Sequence, residues 1–138
     1  MIRILILCGG NSCRSQMAEG FLRHFAGDKI EVHSAGTEAQ GLNPLAVNVM
    51  NEVGIDISNH QSKSVDVYAG QRFDWVITVC DIDTESCPVF IGEAKRLHHS
   101  FFDPAIADGT EEEKLEKFRE VRDEVKAFAE EFVSNFSA

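Results

Sequence analysis

Residues 7–20 read Leu-Cys-Gly-Gly-Asn-Ser-Cys-Arg-Ser-Gln-Met-Ala-Glu-Gly. The apolar run at residues 2–7 predicts a buried β-strand. Apolar residues recur every three or four positions in residues 15–26, which predicts a helix with one apolar face. A loop therefore lies between the C-terminal end of a strand and the N-terminus of a helix. Open α/β sheets bind ligands at such places, so we expect this loop to be the functional site.

The loop carries Cys8, five further residues and then Arg14. Its glycines permit unusual backbone angles, so successive N–H groups can form an anion-binding nest at the start of the helix. Arg14 offers planar donors that match a tetrahedral oxyanion. These donors would stabilise a Cys8 thiolate, to which Ser15 could donate a hydrogen bond. The expected oxyanion loop comprises Cys8 as nucleophile together with Gly9, Gly10, Asn11, Ser12, Cys13, Arg14 and Ser15.

A buried cysteine beside a glycine turn is the simpler explanation of this pattern. A C-x5-R match alone is a poor signal, because it occurs often by chance. Here the match lies between a strand and a helix, includes two glycines, and has a serine directly after the arginine. That context favours a nucleophile that attacks a bound oxyanion.

The rest of the chain predicts three further strands and two further long helices. Asn43 with Pro44 marks the start of the second helix, and Thr110 with Glu113 forms a capping box before the third. The order strand–helix–strand–helix–strand–strand–helix predicts an α/β fold, a four-stranded parallel sheet with helices on both faces. The strands are expected at residues 30–34, 75–79 and 95–98, the helices at 44–53 and 111–136, and a short helical turn at 65–69.

Length and charge limit the possible functions. The 138 residues are expected to form one domain, residues 1–138. A net charge of −10 argues against nucleic acid as a partner. No apolar run reaches the ~20 residues of a membrane span, and no signal peptide is apparent. We therefore expect a cytoplasmic protein, without a membrane partner, in which the four cysteines are reduced thiols. Catalytic or redox roles are thereby favoured, although a buried structural role also fits Cys13.

Two later cysteines could join the site. Cys80 ends a predicted strand, so its sulfur could approach Cys8 at the same edge of the sheet. Cys87 follows seven residues later. If the intervening segment is helical, the rise of ~10.5 Å is too long for a disulfide, whereas a loop would allow one. Zinc bound with His98 and His99 is the alternative, but the thiol spacing is not that of a usual zinc chelate, and we expect no metal.

Asp103 is the candidate general acid. When a thiolate displaces an oxygen from an oxyanion, the departing oxygen needs a proton, and a carboxylic acid at the mouth of the loop can give it. Asp-Pro by itself is a common turn. Its combination with the loop favours the acid role.

The oxyanion loop, the Cys80 and Cys87 pair and the Asp103-Pro104 turn together resemble the thioredoxin-coupled arsenate reductases, which share the fold of the low-molecular-weight protein tyrosine phosphatases. The resemblance covers nearly the whole chain. The phosphatase relatives share the loop and Asp-Pro but not the Cys80 and Cys87 pair. The matching stretches are residues 8–20, 34–36, 41–44, 52–59, 78–80, 87–88, 103–104 and 109–113.

The resemblance implies a mechanism. Cys8 attacks arsenate, Arg14 and the loop amides hold its oxygens, and Asp103 protonates the leaving oxygen. Cys80 then attacks Cys8 and arsenite leaves, after which Cys87 attacks Cys80 and thioredoxin reduces the resulting disulfide. The implied role is arsenic detoxification by a monomer with no tightly bound cofactor, with phosphate or sulfate as substrate mimics.

Many relatives bind potassium beside the loop through an asparagine, a glutamate, a serine and an aspartate. The first three correspond to Asn11, Glu19 and Ser34, whereas Lys63 stands at the aspartate position. We hypothesise that the Lys63 ammonium group occupies the place of the ion and pairs with Glu19. A solvated surface lysine is the alternative, and potassium binding stays doubtful.

Three other functions are to be compared with this one. A tyrosine phosphatase often carries tyrosines after its Asp-Pro, whereas this chain has Ala105 and Ile106 there. Because phosphate resembles arsenate, weak phosphatase activity is still expected. Some relatives use glutathione and glutaredoxin as the reductant. A non-catalytic oxyanion-binding protein is disfavoured, because Cys8, Arg14 and Asp103 are all present.

Overall fold

The apolar run at the start of the chain forms the central strand of a parallel sheet. The computed structural model describes residues 2–81 and 88–137. Within them the sheet has the strand order β2-β1-β3-β4, and every neighbouring pair is parallel. The α/β fold with four parallel strands is thus confirmed. The strands are β1 (Ile2–Cys8), β2 (Ile30–Gly36), β3 (Trp75–Thr78) and β4 (Lys95–His98).

The predicted helices and their caps are also confirmed. The α-helices of the described residues are α1 (Arg14–Ala26), α2 (Pro44–Glu52) and α3 (Glu111–Ser137). Asn43 Oδ1 accepts a 2.9 Å hydrogen bond from Leu45 N at the start of α2. Thr110 and Glu113 form the reciprocal capping box, with bonds of 3.2 and 3.3 Å.

The two faces of the sheet are covered unequally. Ile4 and Ile6 of β1 point into the larger core, to which all three α-helices contribute. Leu5 and Leu7 point to the opposite face, where a 3₁₀ helix (Val65–Tyr68) and neighbouring segments pack. Both faces are therefore buried, which explains why β1 is apolar throughout its buried half rather than alternating.

The ends of the elements differ slightly from the sequence prediction. β2 extends to Gly36 rather than to residue 34, and β3 ends at Thr78 rather than at residue 79. A 3₁₀ helix (Pro104–Ile106) directly follows Asp103. Among the described residues, no helix is both long and apolar enough to span a membrane.

Candidate active site

The loop between β1 and α1 turns its carbonyl groups away from the centre of the site. The carbonyl oxygens of Gly9, Gly10 and Ser12 accept bonds of 2.9 to 3.3 Å from backbone N–H groups in residues 37–43. Because C=O and N–H of a trans peptide unit point in opposite directions, the amides that follow these carbonyls face the concave side. The residues after β2 therefore hold the loop in the form of an anion nest.

Asn11 is the structural centre of the loop. It has φ of 49°, a left-handed conformation, and its side chain is fully buried. Its Nδ2 donates to Ser15 Oγ at 2.8 Å and to Ser34 Oγ at 3.0 Å. Its Oδ1 accepts from the Lys63 backbone N–H at 2.8 Å and from Gln16 Nε2 at 3.1 Å. These four bonds offset the strain of the turn and fix Ser15.

The Cys8 side chain is a buried free thiol at the base of the loop. Its Sγ lies 3.0 Å from Ser15 Oγ, as the sequence predicts. Since Ser15 Oγ already accepts a hydrogen bond from Asn11, its own O–H can be directed at the sulfur. This arrangement supplies a donor to a Cys8 thiolate.

Arg14 and Asp103 lie together at the edge of the site. Arg14, the first residue of α1, is buried, and its NH1 donates to the Phe101 carbonyl at 3.2 Å. Its NH2 lies 3.6 Å from Asp103 Oδ2. Asp103 caps the 3₁₀ helix by accepting the Ala105 N–H at 3.0 Å. The structure thus brings the predicted nucleophile, guanidinium and acid to one site.

A cavity of about 400 Å³ opens over these groups. The sequence analysis did not predict that the segment after β2 forms part of the cavity wall. This could have been predicted, because β2 ends at the same edge of the sheet as β1 and ligands bind at that edge. Beside loop residues, the wall consists of Thr37, Glu38 and Gln40 on one side and Asp103, Ala105 and Ile106 on the other.

Cys80 reaches the same edge of the sheet as Cys8. The register pairs Leu7 with Thr78, and Val79 N donates to the Leu7 carbonyl at 2.9 Å, so Cys8 ends β1 and Cys80 follows the adjacent strand β3 at the same edge of the sheet. Cys80 is fully buried and disulfide-bonded, whereas Cys8 carries a free thiol. The predicted role of Cys87 lies outside the described residues.

The pairing of Lys63 with Glu19 is wrong. Lys63 Nζ donates instead to the hydroxyl of Tyr68 at 3.1 Å and lies over that ring. Glu19 Oε2 lies 3.2 Å from Arg23 NH2 and 3.6 Å from His60 Nδ1. The sequence reasoning missed these two partners of Glu19. Arg23 could have been found, because it lies four residues after Glu19 on one helix, a spacing that favours ion pairs.

The four positions compared with a potassium site do not fit one. Glu19 Oε1 accepts a 2.7 Å hydrogen bond from Ser34 Oγ, and its other oxygen faces Arg23 and His60. Asn11 Oδ1 is used by two N–H donors. The oxygens that would coordinate an ion therefore already face protein donors. In the described part of the chain, no group of three His, Cys, Asp or Glu side chains could hold a metal.

The chain is similar to known proteins over almost its whole length. The family model for the low molecular weight phosphotyrosine protein phosphatases matches residues 3–138. An arsenate reductase of Bacillus subtilis (strain 168) is 52% identical over 131 residues, which is 92% of this chain and 94% of that protein. A solved arsenate reductase in the phosphate-binding state has a TM-score of 0.80 and 34% identity, and covers 98% of both chains.

A thioredoxin-dependent arsenate reductase of Corynebacterium glutamicum is similar at lower identity. Its TM-score is 0.71 at 27% identity, and the match covers 99% of this chain and 62% of that one. The similarity therefore extends over almost the entire chain in each comparison.

Proposed function

We propose that this chain, which belongs to the family of the low molecular weight phosphotyrosine protein phosphatases, reduces arsenate to arsenite. The observation that carries the proposal is the position of Cys80. A phosphatase needs only the loop cysteine, whereas here a second, disulfide-bonded cysteine follows the strand adjacent to the one that ends at the free thiol of Cys8. The named arsenate reductases among its relatives support the same reaction.

In the first step, the Cys8 thiolate attacks arsenic. The loop amides and the Arg14 guanidinium hold the oxyanion, and the Ser15 hydroxyl supports the thiolate beforehand. A sulfur–arsenic bond forms while one arsenic–oxygen bond breaks. Asp103, in its protonated form, gives its proton to the departing oxygen, which leaves as water.

In the second step, the Cys80 thiolate attacks the Cys8 sulfur. The electron pair of the sulfur–arsenic bond stays with arsenic, which leaves as arsenite with a lone pair, and a Cys8–Cys80 disulfide forms. Cys87 then attacks Cys80 and releases the Cys8 thiolate. The dithiol of thioredoxin reduces the Cys80–Cys87 disulfide. A disulfide-bonded Cys80 beside a free Cys8 is consistent with the last stage of this relay.

We further propose that the enzyme acts as a monomer in the cytoplasm without a tightly bound cofactor. The reducing cytoplasm would maintain the free Cys8 thiol. Phosphate and sulfate should compete with arsenate, because the nest recognises tetrahedral oxygens rather than the central atom. Slow hydrolysis of aryl phosphates is expected, since it requires only Cys8, Arg14 and Asp103.

Counting arsenite per enzyme tests the relay. The reduced wild type, supplied with thioredoxin, thioredoxin reductase and NADPH, should turn over arsenate continuously. Cys87→Ser should release one arsenite per enzyme and stop at the Cys8–Cys80 disulfide. Cys80→Ser should release none while it retains aryl phosphate hydrolysis, which serves as the control for an intact loop.

Other outcomes would change the assignment. Continuous turnover by Cys87→Ser would remove Cys87 from the relay, and glutaredoxin with glutathione would then be tested as reductant. If the wild type releases no arsenite but hydrolyses aryl phosphates steadily, the chain is a phosphatase.

A further inference from the structure

The two carboxyl oxygens of Asp103 have different surroundings. Oδ1 accepts the Ala105 N–H at 3.0 Å and lies 3.6 Å from Cys13 Sγ, within the range of an S–H···O hydrogen bond. Oδ2 lies 3.6 Å from Arg14 NH2, on the side of the oxyanion loop. One oxygen is thus fixed by two donors of the protein, and the other faces the guanidinium that would hold the substrate.

Cys13 is suited to be a permanent donor. Its thiol is buried, and burial, followed by the charges of Asp103 and Cys8, raises its pKa to about 12. The sulfur therefore keeps its proton at neutral pH and does not compete with Cys8 as a nucleophile. Ser12 Oγ lies 3.9 Å away as a donor to the sulfur, which leaves the Cys13 hydrogen for Asp103.

A general acid carries its proton on one oxygen only. Ala105 N–H and Cys13 S–H occupy the two lone pairs of Oδ1, so a proton on Oδ1 would displace one of these two hydrogen bonds. A proton on Oδ2 leaves both bonds intact. That proton then lies between Asp103 and the cavity, where the departing oxygen would be.

We infer that Cys13 is a positioning residue that holds Asp103 so that Oδ2 is the oxygen that delivers the proton. The inference rests on the proposed function, in which Asp103 is the acid. It assigns the cysteine within the C-x5-R loop a role that needs neither its nucleophilicity nor its oxidation. In this role the Cys13 thiol acts through the carboxyl group of Asp103 and not on the substrate itself.

A double-mutant cycle tests the inference. Cys13→Ala and Cys13→Ser are each made in the wild type and in Asp103→Ala, and the arsenate kcat and the phosphate inhibition constant are measured for each. In the wild type we expect Cys13→Ala to lower kcat about tenfold, because small displacements of a catalytic group are costly. The phosphate inhibition constant should stay nearly unchanged. Cys13→Ser, which retains a donor, should recover most of kcat.

In the Asp103→Ala background, Cys13→Ala should have no further effect, because the group through which it acts is gone. An equal loss of kcat in both backgrounds would overturn the inference, as would a parallel loss of phosphate affinity or an unchanged kcat in Cys13→Ala. If Asp103→Ala is as fast as the wild type, the acid role itself is wrong. If the wild type does not reduce arsenate, the same cycle on aryl phosphate hydrolysis decides the role of Cys13 separately.

Discussion

The Ser15 hydroxyl lies 3.0 Å from the Cys8 sulfur, and both side chains are buried. A hydrogen bond to a charged group in such surroundings contributes about 1.5–3 kcal/mol. We therefore expect Ser15→Ala to lower the arsenate kcat about 10- to 100-fold, with little change in KM. Ser15→Thr, which keeps the hydroxyl, is the matched control. If alanine and threonine reduce kcat equally, the effect comes from packing at the start of α1 and not from the hydrogen bond.

Glu19 already has ion-pair and hydrogen-bond partners in its own chain, which leads to a second prediction. Arg23 and His60 face one of its oxygens, and Ser34 donates to the other. Replacing sodium chloride by potassium chloride at constant ionic strength should therefore leave kcat and thermal stability unchanged. Arg23→Ala removes the cation that pairs with Glu19. This variant is therefore the one in which potassium is most able to change kcat or thermal stability. Marked activation of the wild type by potassium would contradict this prediction.

The difference between Lys63 and Ser15 shows what the sequence could predict. Ser15 lies seven residues from Cys8, and the strand–loop–helix geometry between them leaves little freedom, so their contact follows from local pattern. The partner of the Lys63 ammonium depends on where the 3₁₀ helix that carries Tyr68 packs. That placement is set by contacts far apart in sequence, and several partners are nearly equivalent for a long, flexible side chain.

In the fold, too, features set by neighbouring residues were predictable, whereas features set by contacts far apart in sequence were not. Apolar runs and caps predicted the strands and helices, because these depend on neighbouring residues. They did not predict that all the α-helices of the described residues contribute to one core, nor that Gln40 lines the cavity. Which face a helix covers depends on how the crossovers pack, and this information is spread over the whole chain.

His60 provides a third prediction, on the pH dependence of stability. Burial lowers its pKa from 6.5, although the Glu19 carboxylate opposes the shift; Asp56 also raises it, and Arg23 and Lys63 lower it. Below pH 6.5 the unfolded chain binds a proton at this site that the folded chain does not bind. The unfolded state thus holds more protons between the lowered pKa and pH 6.5, so the free energy of unfolding rises with pH. The protein therefore loses stability as the pH falls through this range.

Urea unfolding of the wild type and His60→Gln between neutral pH and pH 5 checks this prediction. His60 Nδ1 lies 3.1 Å from Gln16 Oε1. A glutamine at position 60 can still donate a hydrogen bond to Gln16 but does not titrate, so the variant should lose less stability on acidification. The carboxylates that titrate in both proteins cancel in the comparison. A steeper loss in the variant would mean that His60 is protonated in the folded protein and stabilised by Glu19.

The fourth prediction concerns alanine substitutions at Gly36 and Gly10. At Gly36 the added Cβ would clash with backbone atoms of the oxyanion loop, and at Gly10 it would clash with a side chain. A Cβ added at Gly36 would lie 2.7 to 2.8 Å from backbone atoms of Cys8, Gly9 and Asn11. A Cβ added at Gly10 would clash with Gln40 Oε1, the end of a flexible side chain. The backbone of Cys8, Gly9 and Asn11 cannot move without displacing the anion nest, whereas the Gln40 side chain can adopt another rotamer.

We therefore expect Gly36→Ala to lower the free energy of unfolding by about 1–3 kcal/mol and to abolish phosphate inhibition. Gly10→Ala should retain the fold with weaker oxyanion binding, and Gly10→Ala/Gln40→Ala should recover that binding, because the clash is removed. Urea unfolding and the phosphate inhibition constant are measured for all three variants. Normal phosphate binding by Gly36→Ala would show that the close contact between β2 and the loop is not what shapes the nest. A Gly10→Ala defect that persists without the Gln40 side chain would place its cause in the backbone of the loop.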